Sequence, residues 1–350
     1  VNRVLGDRSD PATLQRALAK RDFDAVIDVI AFRDWCNSAP TSGPSDRGDP
    51  HLITTNGVAY DFQAAGEFVA LRNAGTGFEL QTRQTPILTT FTPGPNAYTG
   101  LSSCVSLNTA AAVRVGRHRI TYQPSATRPE GADRMELRID GRPVRLAARG
   151  VNLGAGNVVA QAASGGGVDI KLADGTRLII TPSFWSSQNA WYLDIEVLNT
   201  PAREGIMGHI AGSDWLPRAP DGSSFGPKPG PLAARHVLLN EKFADAWRVT
   251  PATSLFHYAP GTSTATFTDR TWPSPRGGDC RTSTSGSALA ALIRNPPDKA
   301  VGERAAQLCE RLGDKAAIAN CVFDVTATGH AGFAKSYLQT LQLRKQAENQ

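Results

Sequence analysis

The chain has 350 residues, of which 41% are hydrophobic and 20% are charged, and its formal net charge is +5. The length allows one large domain or two ordinary ones, and the composition is that of a globular chain rather than a disordered one. The basic residues are scattered singly, which argues against a nucleic-acid partner, and no apolar stretch approaches the ~20 residues of a transmembrane segment.

Residues 1–32 predict a short αβ segment. Asp10-Pro11 is typical of a helix start, and FDAVIDVIAF is an apolar run of the buried-strand type. The GDR-x-D turn, the helix and the DAVID strand resemble part of the Rossmann domain of short-chain dehydrogenases and epimerases. The glycine-rich fingerprint and the Tyr-x-x-x-Lys pair of that family are absent, so we interpret the segment as an αβ remnant. A fragment or fusion of an NAD(P)-dependent epimerase or reductase is kept as an alternative.

A long run of short strands follows. Residues 33–47 are rich in Ser, Pro and Gly and predict a linker. Residues 48–215 contain short segments that alternate polar with apolar residues. Turn signals separate these segments, and the strongest lies between VDIKLA and TRLIITP; the signals include Asp174-Gly175, Asn56-Gly57 and Asp140-Gly141. This spacing predicts a mainly β fold, an antiparallel two-sheet β-sandwich.

Two further regions complete the predicted organisation. Residues 216–286 predict a loop-rich extension packed on the β domain and anchored by aromatic side chains, namely Phe243, Trp247, Phe256 and Tyr258. Residues 287–345 have the Ala/Leu periodicity of helices and predict a small helical C-terminal cap.

The cysteines allow one specific prediction. Cys309 and Cys321 flank the Gly313-Asp314 turn, and two short antiparallel helices there would bring them near enough for a disulfide bond. The pairing of Cys36, Cys104 and Cys280 stays open. No Cys-x-x-Cys pair occurs, so a zinc site built on cysteines is not expected. The chain begins VNRVLGDRSDP, without the apolar core of a signal peptide, so the sequence leaves the export route and the true N-terminus open.

The stretch GDPHLITTNGVAYDFQAAGEF, Gly48 to Phe68, carries a family resemblance. Its Gly-Asp-Pro-His, Thr-x-Asn-Gly and Tyr-Asp-Phe-x-x-x-Gly-Glu elements are similar, in order, to the opening of von Willebrand factor type D domains, here of the bacterial type. The resemblance covers roughly residues 48 to 340. It implies a two-sheet β structure that serves adhesion, multimerisation or protein binding outside the cell.

The resemblance also implies a calcium site that this sequence has largely lost. Members in animals carry a Gly-Leu-Cys-Gly-Asn-x-x-Gly loop with acidic residues after it, whereas this chain reads GIMGHIAGSDW from Gly205. Calcium needs several oxygen ligands at once. Asn56, Asp214 and Asp221 are the remaining candidates for a weak calcium site, and no other cofactor is expected.

The Asp49-Pro50 peptide bond is the candidate site for a chemical reaction in this sequence. An aspartic acid can attack its own carbonyl group, and a protonated proline nitrogen departs well. Some members of the family with Gly-Asp-Pro-His cleave themselves at this bond, so the resemblance implies a self-cleavage site formed by Asp49, Pro50 and His51. The alternative is that Asp49 caps a turn and His51 begins the first strand.

Two other groups of residues are candidates for binding or chemistry. The aromatics Trp185, Trp191 and Tyr192 could form a stacking surface for a sugar or peptide, although closing the end of the sandwich is the alternative role. Asp194 and Glu196 share one face of a strand, as in a glycosidase pair, but a solvated sheet surface is the expected role.

The sequence therefore predicts a secreted or cell-surface module that binds a protein or glycan partner without turnover. It contains no nucleophile elbow, P-loop or His-Glu-x-x-His motif, so no enzymatic activity is expected beyond self-cleavage. A self-cleaving protein processed at Asp49-Pro50 is the first alternative.

Overall fold

The computed structural model describes residues 43–87, 105–125, 135–162, 166–273, 299–313 and 315–348. The predicted αβ segment at residues 1–32 lies outside the described residues, as do Cys36, Cys104 and Cys280.

The larger sheet is antiparallel and has eight strands in the described part of the chain. Its strands are β1 (Ser45–Arg47), β2 (His51–Ile53), β3 (Ala59–Asp61), β10 (Val151–Gly154), β11 (Asn157–Gln161), β12 (Val168–Lys171), β13 (Arg177–Trp185) and β14 (Ala190–Leu198). The order across the sheet is β10-β11-β12-β13-β14-β1-β2-β3. The short strand β1 therefore lies inside the sheet, paired with β14 on one side and β2 on the other.

The second sheet is also antiparallel, and its described strands follow chain order. They are β4 (Gly66–Asn73), β5 (Phe78–Ile87), β6 (Val105–Val115), β7 (His118–Pro124), β8 (Met135–Ile139) and β9 (Arg142–Pro143). Alternation of apolar and polar residues gives each sheet one apolar face. Buried residues of both sheets, such as Leu80, Val113, Ile180 and Ile195, share one hydrophobic cluster. The predicted mainly β, two-sheet antiparallel fold is confirmed.

Three predicted turns connect paired strands. Asp174-Gly175 lies between β12 and β13, whose register pairs Lys171 with Arg177, and Gly175 has the positive φ (89°) that such a tight turn requires. Asp140-Gly141 lies between β8 and β9, and Asn56-Gly57 lies between β2 and β3. The local signals for these hairpins were therefore sufficient.

The helices lie in the second half of the described chain. Residues 232–247 form a helix with a π-helical middle, in the segments α1 (Leu232–His236), Val237–Phe243 and α2 (Ala244–Trp247). The others are α3 (Thr264–Phe267), α4 (Lys299–Cys309), α5 (Lys315–Thr328) and α6 (Gly332–Glu348). Among the described residues, no helix combines the length and the apolar character needed to cross a membrane.

The three C-terminal helices pack on one end of the sheets. Phe333 and Tyr337 of α6 share a second hydrophobic cluster with Trp185 and Tyr192 of the larger sheet. A disulfide bond joins Cys309 to Cys321, with the two Cα atoms 5.9 Å apart, and so ties α4 to α5. The predicted disulfide is confirmed.

A buried ion pair anchors the loop-rich segment on the smaller sheet. The Arg83 guanidinium donates to Glu67 Oε1 at 2.8 Å, and the Tyr258 hydroxyl donates to the other oxygen of the same carboxylate. The rings of Phe256 and Phe267 stack on the guanidinium, with centroids 4.6 and 3.6 Å away. We call Arg83, Glu67 and Tyr258 the Arg83 cluster; in it one cation faces one carboxylate.

Candidate functional site

The candidate site is built on the turn between β1 and β2. Arg47 pairs with His51 across this turn, so Gly48, Asp49 and Pro50 form its loop. Gly48 has φ of +62°, a left-handed conformation that glycine adopts without strain. A Cβ atom at Gly48 would also collide with the Asp324 carboxylate, so glycine is needed for the close approach of α5. The Pro50 carbonyl accepts a hydrogen bond from the N–H of Phe62 at 3.0 Å. This bond holds the loop against the residue that directly follows β3.

His51 lies at the centre of three carboxyl groups. Its Nε2 is 2.6 Å from Asp49 Oδ1 and 2.8 Å from Asp324 Oδ1, and its Nδ1 is 2.6 Å from Asp61 Oδ1. The side chains of Asp49 and Asp324 are fully buried, and that of His51 is 4% exposed. We call these four residues the His51 cluster. It joins a turn, the paired strand β3 and the helix α5, which is 273 residues away in sequence.

Neighbouring groups fix the orientation of these carboxyl groups. The Tyr337 hydroxyl of α6 donates to Asp324 Oδ2 at 3.1 Å. Asp194 of β14 accepts the Gly48 N–H at 2.9 Å, and its second oxygen accepts the Thr340 hydroxyl at 3.3 Å. The C-terminal helices and the larger sheet therefore both position the loop that contains Asp49.

Burial and charge together set the ionisation of the His51 cluster. Burial lowers the pKa of His51, but the negative charges of Asp49, Asp324 and Asp61 outweigh it and raise that pKa well above its usual value. Burial raises the pKa of Asp324 well above the usual range, and the charge of Asp49 raises it further. The raised pKa values favour a protonated imidazole at His51 and a protonated carboxyl group at Asp324.

Further buried carboxyl groups lie near this cluster. Burial raises the pKa of Asp194, and it raises the pKa of Asp46 to about 7. Glu196 is paired with Arg47, whose guanidinium also lies over the Tyr337 ring at 6.0 Å. Arg47 pairs with Glu196, and His51 pairs with Asp49, Asp61 and Asp324.

The structure brings the predicted residues Asp49, Pro50 and His51 together with two that the sequence did not single out, Asp61 and Asp324. Asp61 lies opposite His51 because Thr54 and Val58 close a three-residue loop around Asn56-Gly57. A two-residue turn at the same place would have put Phe62 opposite His51, so the turn signal located the hairpin but did not fix its register. No sequence signal pointed to Asp324, because it lies 273 positions after His51 in the chain.

Asp194 and Glu196 correct an expectation. Both carboxylates are completely buried instead of forming a solvated sheet surface. Their strand β14 lies between β13 and β1, and α6 covers it, so the face that looks polar in sequence is enclosed. Glu196 is engaged by Arg47 and Asp194 by the Gly48 N–H, so the two have separate structural partners rather than acting as a glycosidase pair.

The predicted binding surface at Trp185, Trp191 and Tyr192 is wrong for two of its members. Trp185 is 2% exposed and Tyr192 is fully buried, because α6 covers them and Phe333 stacks on Tyr192 at 4.5 Å. Trp191 is partly buried and packs on Phe184 at 5.0 Å. Trp185 and Tyr192 therefore have the alternative role, in which they close the end of the sheets.

The three calcium candidates have separate hydrogen-bond roles. The Asn56 amide bonds the backbone of Ile210 through both its oxygen and its nitrogen. Asp214 accepts the Ser224 hydroxyl at 2.6 Å, and Asp221 accepts the N–H and hydroxyl of Ser223. Calcium binding by these residues stays a prediction.

Comparison with models of known protein families places no further constraint on the chain. No family model matches it. The likeness to von Willebrand factor type D domains therefore rests on the residues from Gly48 to Phe68 and stays a prediction.

Proposed function

We propose that the protein is a self-processing module that breaks its own Asp49–Pro50 peptide bond. The observation that carries the proposal is the convergence of His51 and Asp324 on the Asp49 carboxyl group, at 2.6 Å for the first and within the same buried cluster for the second. A carboxylate that only caps a turn does not need an imidazole and a helix-borne carboxyl group beside it. The Gly-Asp-Pro-His resemblance supports the same proposal.

The reaction needs no added reagent except water. One side-chain oxygen of Asp49 attacks the main-chain carbonyl carbon of the same residue and closes a five-membered cyclic anhydride. The bond from that carbon to the Pro50 nitrogen breaks, and the nitrogen takes a proton from the acid pair of His51 and Asp324. Water then opens the anhydride and leaves residue 49 as a new C-terminus. The proton released when water opens the anhydride restores that pair. A positioned acid in such a step contributes about 10²–10⁴-fold to the rate.

The site supplies each role from a different element. Asp49 is the nucleophile, because its side chain is on the residue whose bond is broken. His51, held by Asp61 through Nδ1, orients the Asp49 carboxylate through Nε2. The carboxyl group of Asp324 is a second acid beside His51, with its Oδ1 2.8 Å from Nε2 of the imidazole. Proline at position 50 provides a nitrogen without N–H, which becomes a good leaving group once protonated.

The test follows the fragments of the purified full chain. The chain is incubated at about pH 5 and at about pH 7.5, conditions chosen around the usual range of histidine, and intact masses are recorded. We expect fragments 1–49 and 50–350 to accumulate, and hydroxylamine to trap the anhydride as a hydroxamate on Asp49. A contaminating protease gives no hydroxamate, so the trap identifies the mechanism.

Variants separate the roles of the side chains. Asp49→Ala removes the nucleophile and should abolish cleavage, whereas Asp324→Asn should slow it about 10²-fold. Asp169→Asn is the matched control and should cleave as the wild type does, because Asp169 is also a buried aspartate but pairs with Arg177, outside the His51 cluster. A folded wild-type chain that keeps its full mass for days under both conditions contradicts the proposal.

The setting of this function is a separate proposal. The Cys309–Cys321 disulfide supports a compartment outside the reducing cytosol, as expected for a secreted or cell-surface protein. Adhesion to a protein or glycan partner stays a prediction of the sequence. Counting thiols in denatured, non-reduced protein from its native source should give no more than three of the five cysteines. A count of four or five contradicts an oxidising compartment.

A further inference from the structure

We propose that Asp49, His51 and Asp324 form a binding site for a divalent metal ion, with Zn²⁺ the best fit. One ligand atom from each residue, a carboxylate oxygen or an imidazole nitrogen, lies within 4.8 Å of the other two. All three residues are buried. They come from one turn and from the helix α5, so the ion would join the two ends of the described chain.

The geometry around Nε2 is the first argument. Two carboxylate oxygens approach this single nitrogen, at 2.6 and 2.8 Å. One N–H group donates well to one acceptor, so a hydrogen bond serves only one of the two carboxylates fully. A cation between Nε2 of His51 and the Oδ1 atoms of Asp49 and Asp324 would bind all three atoms at once.

The groups behind the ligands are the second argument. Histidines that bind metal ions usually donate their other ring N–H to a carboxylate, which fixes the ring and its tautomer. Asp61 lies in this position, 2.6 Å from Nδ1 of His51. The carboxylates that bind metals are themselves hydrogen-bonded, and the Tyr337 hydroxyl donates to Asp324 Oδ2. The oxygen that faces His51 is the other one, Oδ1.

The donor set selects the ion. Ca²⁺ takes 6–8 oxygen ligands and does not favour an imidazole, whereas Zn²⁺ accepts nitrogen and oxygen in four-coordinate sites. Three protein ligands leave one open position, as in many zinc sites that also take part in reactions. Ligand atoms around Zn²⁺ are about 3.3 Å apart for bond lengths of about 2.1 Å. The two short distances to Nε2, 2.6 and 2.8 Å, therefore need to widen by about 0.5–0.7 Å, a shift that side-chain torsions can absorb.

A bound ion would regulate the processing reaction, an inference that rests on the proposed function. A carboxylate bound to Zn²⁺ gives up electron density to the cation and is held in one orientation, so either oxygen of Asp49 would attack the carbonyl carbon less readily. Zinc should therefore keep the chain whole, and its removal should start the cut.

Binding is measured first, independently of cleavage. The full chain is refolded in chelator, exchanged into chelator-free buffer and titrated with ZnCl₂ by calorimetry, and bound zinc is counted by atomic emission after dialysis. We expect one zinc ion per chain. His51→Gln should abolish binding, and Asp61→Asn, which keeps all three ligands, should weaken it about 10–100-fold.

Controls keep this test decisive. His118→Gln removes a half-exposed histidine that pairs with Asp140 at 2.8 Å, so it should bind zinc as the wild type does. Circular dichroism and a thermal melt show which variants fold. A folded wild type that binds no zinc, or equal affinities for wild type and folded Asp61→Asn, overturns the metal site.

The processing assay, run with ZnCl₂ and with chelator, separates the two proposals. Zinc binding without cleavage under either condition supports the metal site and overturns the proposed function. Cleavage in chelator that zinc slows at least 10-fold supports both. Cleavage that proceeds at the same rate with zinc bound overturns the regulatory role.

Discussion

The Arg83 cluster and the His51 cluster are both buried groups of charges, but their balance differs. In the Arg83 cluster one guanidinium meets one carboxylate, and the Tyr258 hydroxyl supplies a further donor. In the His51 cluster one imidazole meets three carboxyl groups, and Asp46 and Asp194 lie nearby with raised pKa values. The first arrangement is what holding a segment in place requires. The second costs stability, and such a cost is typical of a site that does chemistry or binds an ion.

This comparison gives opposite expectations for mutation. In a balanced cluster, removing one partner leaves a buried charge without compensation and destabilises the fold. In a cluster with surplus carboxyl groups, neutralising one of them relieves repulsion and the cost of burial. The four predictions below test this difference, from the largest expected effect to the smallest.

Arg83→Ala should lower the free energy of unfolding by about 3–5 kcal/mol, because it leaves Glu67 buried without its cation and removes the partner of three aromatic rings. Urea unfolding measures the change. Arg270→Ala is the matched control: its side chain is 63% exposed, and loss of its pair with Asp245 should cost under about 1 kcal/mol. If both substitutions lower the free energy of unfolding equally, the Arg83 pair is no more important for stability than an exposed pair, and the comparison fails.

Replacing Cys309 and Cys321 together by serine should cost about 3 kcal/mol, the chain-entropy value for a short loop. Cys321 lies one helical turn before Asp324, so the bridge also holds the helix that completes the His51 cluster. We therefore expect slower processing as well as a lower melting temperature. Reduction of the wild type should reproduce both changes, and a reduced chain that cleaves at full speed would show that the bridge has no part in positioning α5.

Asp46→Asn should stabilise the protein at neutral pH. Burial raises the pKa of Asp46 from 3.8 to about 7; Asn108 and His51 offset part of this rise, and Asp194 and Asp49 add to it. Between these two values the folded state binds more protons than the unfolded state, so stability falls as the pH rises. From about pH 5 to about pH 7 the wild type should lose about 2 kcal/mol relative to Asp46→Asn. Parallel stability curves for the two proteins would contradict the raised pKa.

Tyr337→Phe should cost about 1 kcal/mol, the usual value of one hydrogen bond, because it removes the donor to Asp324 and keeps the ring. Tyr258→Phe makes the same change in the Arg83 cluster, where the hydroxyl donates to Glu67. Thermal melts should show similar losses for both variants. Only Tyr337→Phe should alter the rate of cleavage, and a matching change in Tyr258→Phe would point to a general loss of stability instead.

Local features of the fold were predictable. The Asp174-Gly175 hairpin depends on residues next to each other in sequence, and glycine at the turn is required by its positive φ. The disulfide was predictable because Cys309 and Cys321 flank a single helical turnaround. In both cases the information lies within one structural unit.

The candidate site was only half predictable. Asp49 and His51 lie in one motif, and Asp61 follows once the hairpin is known to have a three-residue loop. Asp324 and Tyr337 come from helices whose docking depends on packing with Trp185 and Tyr192, contacts that no local pattern encodes. Burial of Asp194 and Glu196 was missed for the same reason, since alternation shows which residues share a face but not what covers it.

The sequence separation of 273 between His51 and Asp324 also imposes an order in time. During synthesis the turn leaves the ribosome long before the helix that faces it, so an unfinished polypeptide has the bond but lacks its second acid. Under the proposed function, cleavage at full rate requires that α5 and α6 have docked, so a chain that misfolds there is processed more slowly. Cleavage would in this way report that folding has been completed.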